Sequence, residues 1–360
     1  MSGAATQQFF KNPFNYLLLL IPVVIAGESL LHIDPVILFF LSALSILPLA
    51  KLMGQATEEV SIHSGSTIGG LVNVTFGNAT ELIIAIIALN AGLIEMVKAS
   101  ITGAVIGNML LLLGVAIVIA CLKRDKQVFN KTIAHANSGL LLLVIIGLVM
   151  PAVFSETQSN TTPSLLLGLS IVTAAVLIIL YVLYLLFSLK THSHLSEGHG
   201  GHDDEESKWS LKKAVIILIS CTVAIAMVSE ILVGSIEPVI HKLGWTEFFI
   251  GIIILPIISS AAEYWTALTM AIKNRIELSI NIAMGSSLQI ALFVAPVLVF
   301  TSILLGKPMN LVFELFEVVS IIASVAIVSK ISTDGEVNWL EGSMLIGAYI
   351  ILATAFFFHR

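Results

Sequence analysis

At 360 residues, 57% of them hydrophobic and only 11% charged, with a mean hydropathy of +1.02, the chain excludes a soluble domain, which carries roughly 25% charge. A net charge of −6 with no basic block excludes nucleic acid as a partner. Cys121 and Cys221 are the sole cysteines and sit in apolar surroundings, so they read as small hydrophobes rather than a disulfide or metal pair.

The N-terminal MSGAATQQFFKNPFNYLLLL lacks a small-residue cleavage site and reads as a retained first span. Runs long enough to cross a bilayer follow at 13–31, 33–53, 67–92, 98–121, 132–154, 163–188, 209–235, 245–272, 276–303, 310–329 and 338–358. The expected fold is an all-α polytopic membrane protein of about eleven transmembrane helices. Its parts are a tail and extra helix over 1–32, a five-helix repeat over 33–189, a cytoplasmic acidic and His-rich linker over 190–208, and a second repeat over 209–360. With the N-terminus inside, every lysine and arginine except Lys98, Lys242, Lys307 and Arg360 falls on the cytoplasmic side.

The third span carries GNATELIIAIIAL, with Glu81 at its centre, and the eighth carries SSAAEYWTALTMA, with Glu263 at the matching place. At this offset of 182 residues, Ala79 meets Ala261, Glu95 meets Glu277, Gly103 meets Gly285 and Leu110 meets Leu292. A carboxylate at the centre of a membrane helix costs about 2.5–3.5 kcal/mol on insertion scales, so each is a candidate functional group. Five spans separate them, and an odd number threads the two copies in opposite directions. The expectation is one extra helix plus two inverted five-helix repeats that share one site.

Small and polar residues around both glutamates (Gly77, Asn78 and Thr80; Pro256, Ser259 and Ser260) suit a discontinuous helix whose freed carbonyls face an ion. Thr102, Asn108, Ser286 and Gln289 of the following polar stretches add neutral oxygens. The expected cation ligands are therefore Glu81, Glu263, Asn78, Ser259, Ser260, Ser286, Gln289 and Asn108. An all-oxygen set favours Ca²⁺, Mg²⁺, Mn²⁺ or Na⁺ over Zn²⁺ or Cu²⁺. Without the ion, two neighbouring carboxylates take up protons, so a divalent cation and protons compete for the same groups. No cofactor is expected; the expected cargo is a hard cation, Ca²⁺ among them, exchanged for H⁺, and the surrounding partner is the lipid bilayer.

These motifs, with GSSLQIALFVAPVLV, PLAKLMGQATEE (48–59) and SEILVGSIEP (229–238), resemble the Ca²⁺/H⁺ antiporters, the cation/proton exchanger family of the cation/Ca²⁺ exchanger superfamily. The resemblance implies export of Ca²⁺ from the cytoplasm driven by proton entry, with Glu81 and Glu263 as central carboxylates. It also implies eleven spans, gating helices at 48–59 and 229–238, and a homo-oligomer, a trimer. The family's second motif reads Gly-Asn-Ala-Ala-Glu-His, whereas this chain has Ser259, Ser260, Ala261, Ala262, Glu263 and Tyr264. An amide and a titratable neighbour are thus replaced.

Glu230 lies within a span and Glu58, Glu59 and Glu237 near span ends, so proton coupling, gating or ion entry is considered for each beside an ordinary structural role. Glu28, Glu314, Glu317 and Glu341 read as interfacial or helix-contact residues, and His63 and His135 as solvated. His192, His194, His199 and His202, with Asp203, Asp204, Glu205 and Glu206, read as a flexible acidic linker or a cation or pH sensor. The alternatives to proton-coupled antiport are a Na⁺-coupled exchanger of the same fold, whose relatives tend to carry a Thr-Ser-x-Pro-Glu type of motif, and a channel or intramembrane enzyme. HExxH is missing. The short N-terminal tail fits a multi-pass protein of the bacterial plasma membrane.

Overall fold

The computed structural model describes residues 13–122, 124–158, 162–191 and 207–359; the His- and acid-rich run 192–206, Lys123 and Arg360 lie outside the described residues. A 3₁₀ turn, Pro13–Leu19, leads into α1 (Leu20–Ser29) and then α2 (Pro35–Gly77), which kinks at Gly65 (φ 77°) so that Pro35–Gly65 and the stretch from Ile68 belong to different spans. Asp34 caps α2 by accepting the Val36 amide, and Pro35 takes the first helical position. Next come α3 (Ala79–Ala91), α4 (Ile94–Ile106) with a π-helical continuation over Gly107–Leu112, α5 (Leu113–Cys121), α6 (Lys131–Thr157) and α7 (Pro163–Leu186). The second half holds α8 (Leu211–Gly234), α9 (Ile236–Leu243), and the short α10 (Glu247–Phe249), which runs through a π segment, Ile250–Ile254, into α11 (Leu255–Ser259). It continues with α12 (Ala261–Ile272), α13 (Ile276–Gln289) with a π segment at Ile290–Val294, α14 (Ala295–Leu304), α15 (Leu315–Ile331) and α16 (Trp339–Phe358). Two-residue strands, β1 (Gln127–Val128) and β2 (Glu336–Val337), pair antiparallel and tie the halves together.

The protein is an all-helical polytopic membrane protein. Among the described residues, seven helices are long and apolar enough to cross a bilayer, or nine if each of two bent pairs is one span. The two remaining expected spans are shorter: Asn15–Glu28, and α15 with 17 residues, below the roughly 20 needed for a straight crossing.

The offset of 182 residues recurs in the backbone. One bent pair breaks at Asn78 with a 44° bend and the other at Ser260 with a 58° bend. Just beyond, Gly92 and Asn274 both hold positive φ, 89° and 64°, and end their helices at equivalent turns. Asn274 tolerates that region better than most side chains. The π segments of α4 and α13 also correspond. The two turns are held reciprocally: Lys307, after α14, donates to the carbonyl of Asn90, while Arg124, after α5, and Gln127 (2.8 Å) donate to Asn274 Oδ1.

Helices of the two halves pack on one another. α2 lies along α8, α4 packs on the 250–254 segment, α5 on α16, α12 on α13, and α15 on α6 and α4. Cys121 and Cys221 are buried free thiols.

Candidate functional site

The breaks at Asn78 and Ser260 start α3 and α12, and each new helix carries its glutamate in the first turn. A carboxylate there faces the positive end of the helix dipole. Glu81 is 8% exposed, and both of its carboxyl oxygens are sealed from solvent without a hydrogen-bond partner. Glu263 is half-buried, with Oε2 similarly sealed and unpartnered. The two carboxyl groups lie close enough for each to feel the other's charge, and Ser260 sits beside Glu81 with its hydroxyl unpartnered.

Next to the carboxylates, an amide and hydroxyl chain crosses from one half to the other. Asn108 Nδ2 donates to Ser286 Oγ at 3.1 Å, Ser286 Oγ donates to Asn78 Oδ1 at 3.1 Å, and Asn78 Nδ2 donates to Gln289 Oε1. Asn108 Oδ1 remains buried and unpartnered. Ser259 spends its hydroxyl on the Pro256 carbonyl at 3.3 Å, yet lines the same crevice as Glu81. Ala85, Ala88, Ser100 and Ala104 form another wall of that crevice, which lies between α3, α4, α11 and the stretch from Ile290 to Leu298.

Tyr264 occupies a place the sequence did not assign. Its ring stands within electrostatic reach of Glu263, Glu81 and Tyr349, and its hydroxyl lies 2.9 Å from where a β-carbon on Gly107 would be. By the 182-residue offset, Gly107 is the counterpart of Gln289. The missing side chain on one side thus makes room for the phenol, while the other side carries an amide.

Several expected residues lie elsewhere. Thr102 is fully buried but sits beside Glu317 rather than with the central pair, because it points from a different face of α4 than Ser100, Ile101 and Ala104. Glu59 anchors the start of α8: it accepts from Ser207 Oγ (3.1 Å), the Lys208 amide (3.2 Å) and the Trp209 amide (3.1 Å). His63 is engaged in the same knot, with Nε2 2.7 Å from the Trp209 carbonyl and 2.8 Å from Ser207 Oγ. Glu58 and Glu230 are exposed, and Glu237 is exposed beside His241 at 3.9 Å.

The donor set is all oxygen. Among the described residues no three His, Cys, Asp or Glu side chains gather, so a cation at Glu81 and Glu263 would need further ligands from hydroxyl, amide or backbone oxygens. Such a set suits hard cations.

A family model described as "Sodium/calcium exchanger protein" matches residues 35–190 and 213–358, and each matched stretch contains one of the two glutamates. The chain is 46% identical over 359 residues to the Ca(2+)/H(+) antiporter of Aphanothece halophytica, covering 95% of each. It is 44% identical over 341 residues to the Ca(2+)/H(+) antiporter ChaA of Bacillus subtilis (strain 168), covering 94% of this chain and 96% of that one. The solved structure of native YfkE superposes with a TM-score of 0.84 at 41% identity, covering 97% of this chain and 100% of that chain. The H⁺/Ca²⁺ exchanger CAX shares the fold, with a TM-score of 0.74 at 18% identity over 98% of this chain and 92% of that chain. On these grounds the chain belongs to the sodium/calcium exchanger protein family.

Proposed function

We propose that this protein is a secondary transporter of the cell membrane that exports Ca²⁺ from the cytoplasm in exchange for protons, with Glu81 and Glu263 binding either cargo. The observation that carries this reading is the cluster of buried oxygens without partners: both from Glu81, Oε2 of Glu263, Oγ of Ser260 and Oδ1 of Asn108. Buried polar atoms in a native fold are nearly always satisfied, and a set left open around two like charges fits a transported cation or protons. Ca²⁺ would neutralise the pair; protons would do the same once the ion leaves.

Alternating access is supported by an asymmetry between corresponding positions. At Gly103 the chain of α4 is so close to the 250–254 segment that a β-carbon would fall inside the Ile252 carbonyl, whereas a β-carbon on Gly285 would meet nothing within 4 Å. Two equivalent contacts, one shut and one open, fit one state of a rocking exchanger built from inverted halves. The relatives' names, Ca(2+)/H(+) antiporter, favour protons as the countercurrent.

The test is uptake of radiolabelled Ca²⁺ into proteoliposomes under an imposed pH gradient, repeated with a Na⁺ gradient. Uptake driven by the pH gradient, and lost in Glu81→Gln and Glu263→Gln with the fold intact, is expected. Normal transport by either variant removes the proposed site, and uptake driven by Na⁺ favours the Na⁺-coupled reading.

A further inference from the structure

Another carboxylate is buried more deeply than either member of the central pair. α15 opens on a capping box in which Glu317 Oε2 accepts the Glu314 amide at 2.9 Å. That accounts for one oxygen. Glu317 is only 1% exposed, and its Oε1 is sealed with no hydrogen-bond partner. A capping box does not demand such burial, because Glu341 serves the same role on α16 while half-exposed.

The surroundings of Glu317 are charged in an unusual way. Thr102 of α4 lies beside it, and Lys98, one turn away on the same helix, is within charge range. Lys98 is itself 6% exposed, yet its ammonium is bound to Glu95 at 2.7 Å, a residue whose side chain is 66% exposed. Glu314, on the same end of α15, stands 3.7 Å from His359. Lys98 and Glu314 are charged groups within range of Glu317. The interior therefore holds a carboxyl group with a free oxygen and a nearby lysine committed elsewhere. An ionised carboxylate left so is costly, and the protonated acid is not.

We infer that Glu317 is a proton-carrying carboxylate of the exchange cycle, with Lys98 as the partner that alternates between Glu95 and Glu317. When the O–H bond of Glu317 breaks and the proton leaves, the carboxylate gains the Lys98 ammonium, which releases Glu95; reprotonation reverses the exchange. α4 links this group to the central site, since Ser100, Ile101 and Ala104 line the Glu81 crevice while Thr102 meets Glu317. The inference rests on the proton-exchange reading above and adds a carrier on another face of the same helix.

Glu317→Gln keeps the capping acceptor and the side-chain shape but cannot carry a proton. Proteoliposomes containing the intact chain are assayed in two modes: Ca²⁺ against a pH gradient, and labelled against unlabelled Ca²⁺ at equal pH on both sides. Proton-driven exchange should fall at least about tenfold, while Ca²⁺/Ca²⁺ exchange stays within about twofold of the parent, and Glu317→Asp should recover part of the proton-driven rate. Parent-like rates in both modes, or loss of both, overturn the inference. Failure of the central reading looks different: the parent protein itself then shows no proton-driven Ca²⁺ movement, or Glu81→Gln retains both modes, and the inference falls with it.

Discussion

Ser286 donates to Asn78 Oδ1 at 3.1 Å across 208 positions of sequence, and this bond is the middle of the chain that runs from Asn108 to Gln289. Asn78→Ala removes the acceptor for Ser286 and the donor for Gln289 at once. Leaving buried polar groups unpaired costs about 1–3 kcal/mol. The variant should melt at lower temperature in detergent and bind Ca²⁺ more weakly. Combined with Ser286→Ala, the loss should be smaller than the two single losses together, by about 0.5 kcal/mol or more, because the two residues share one bond. A strictly additive double mutant would separate the network from the site.

The proposed competition between protons and Ca²⁺ at Glu81 and Glu263 fixes the sign of a pH effect. Each proton that must leave before Ca²⁺ binds weakens apparent affinity by up to about tenfold per pH unit of acidification. The apparent KM for Ca²⁺ should therefore rise as the pH on the loading side falls from about 8 to about 6, with little change in Ca²⁺/Ca²⁺ exchange rate at saturation. Initial-rate measurements in vesicles read both. An affinity that does not respond to pH would mean that protons and Ca²⁺ do not share these groups.

Tyr264 and Gly107 meet across the two halves. A β-carbon on Gly107 would sit 2.9 Å from the phenol oxygen in a closely packed region, so Gly107→Ala forces the ring to shift. Overpacking of this kind costs about 1–3 kcal/mol. Tyr264→Phe removes the colliding oxygen, so the double variant should regain part of the lost thermal stability. Without that recovery, the strain of Gly107→Ala arises from another contact.

Much of this was legible in the residues. The offset of 182 that aligns Glu81 with Glu263 also aligns Asn78 with Ser260, and the helices break at both. Thr102 illustrates what could have been read: Val97, Ser100, Ile101 and Ala104 mark one face of α4, and 100° per residue turns Thr102 away from its centre. The π segments at Gly107–Leu112 and Ile290–Val294 could not, because a residue inserted into a helical turn shifts every later side chain without a composition signal. Nor did Glu317 differ on paper from Glu314 or Glu341. Its burial comes from α4 lying across the start of α15, a tertiary fact.

Glu59 offers the clearest separation between two roles for an acidic residue near a span end. As an ion-entrance group it would act by charge, and Glu59→Gln would raise the KM for Ca²⁺ while leaving stability alone. The observed bonds argue for the reverse: its two oxygens hold the Ser207 hydroxyl and the amides of Lys208 and Trp209 where the chain enters α8. Glu59→Ala frees those amides from α2 and should destabilise the α2–α8 contact by about 1–3 kcal/mol. Glu59→Gln, which retains one acceptor oxygen, should cost less, and neither should change the KM for Ca²⁺. Thermal unfolding in detergent alongside transport kinetics reads the two effects separately. A shifted KM in Glu59→Gln with unchanged melting would return Glu59 to the ion path, because the effect would then follow the lost charge and not the lost bonds.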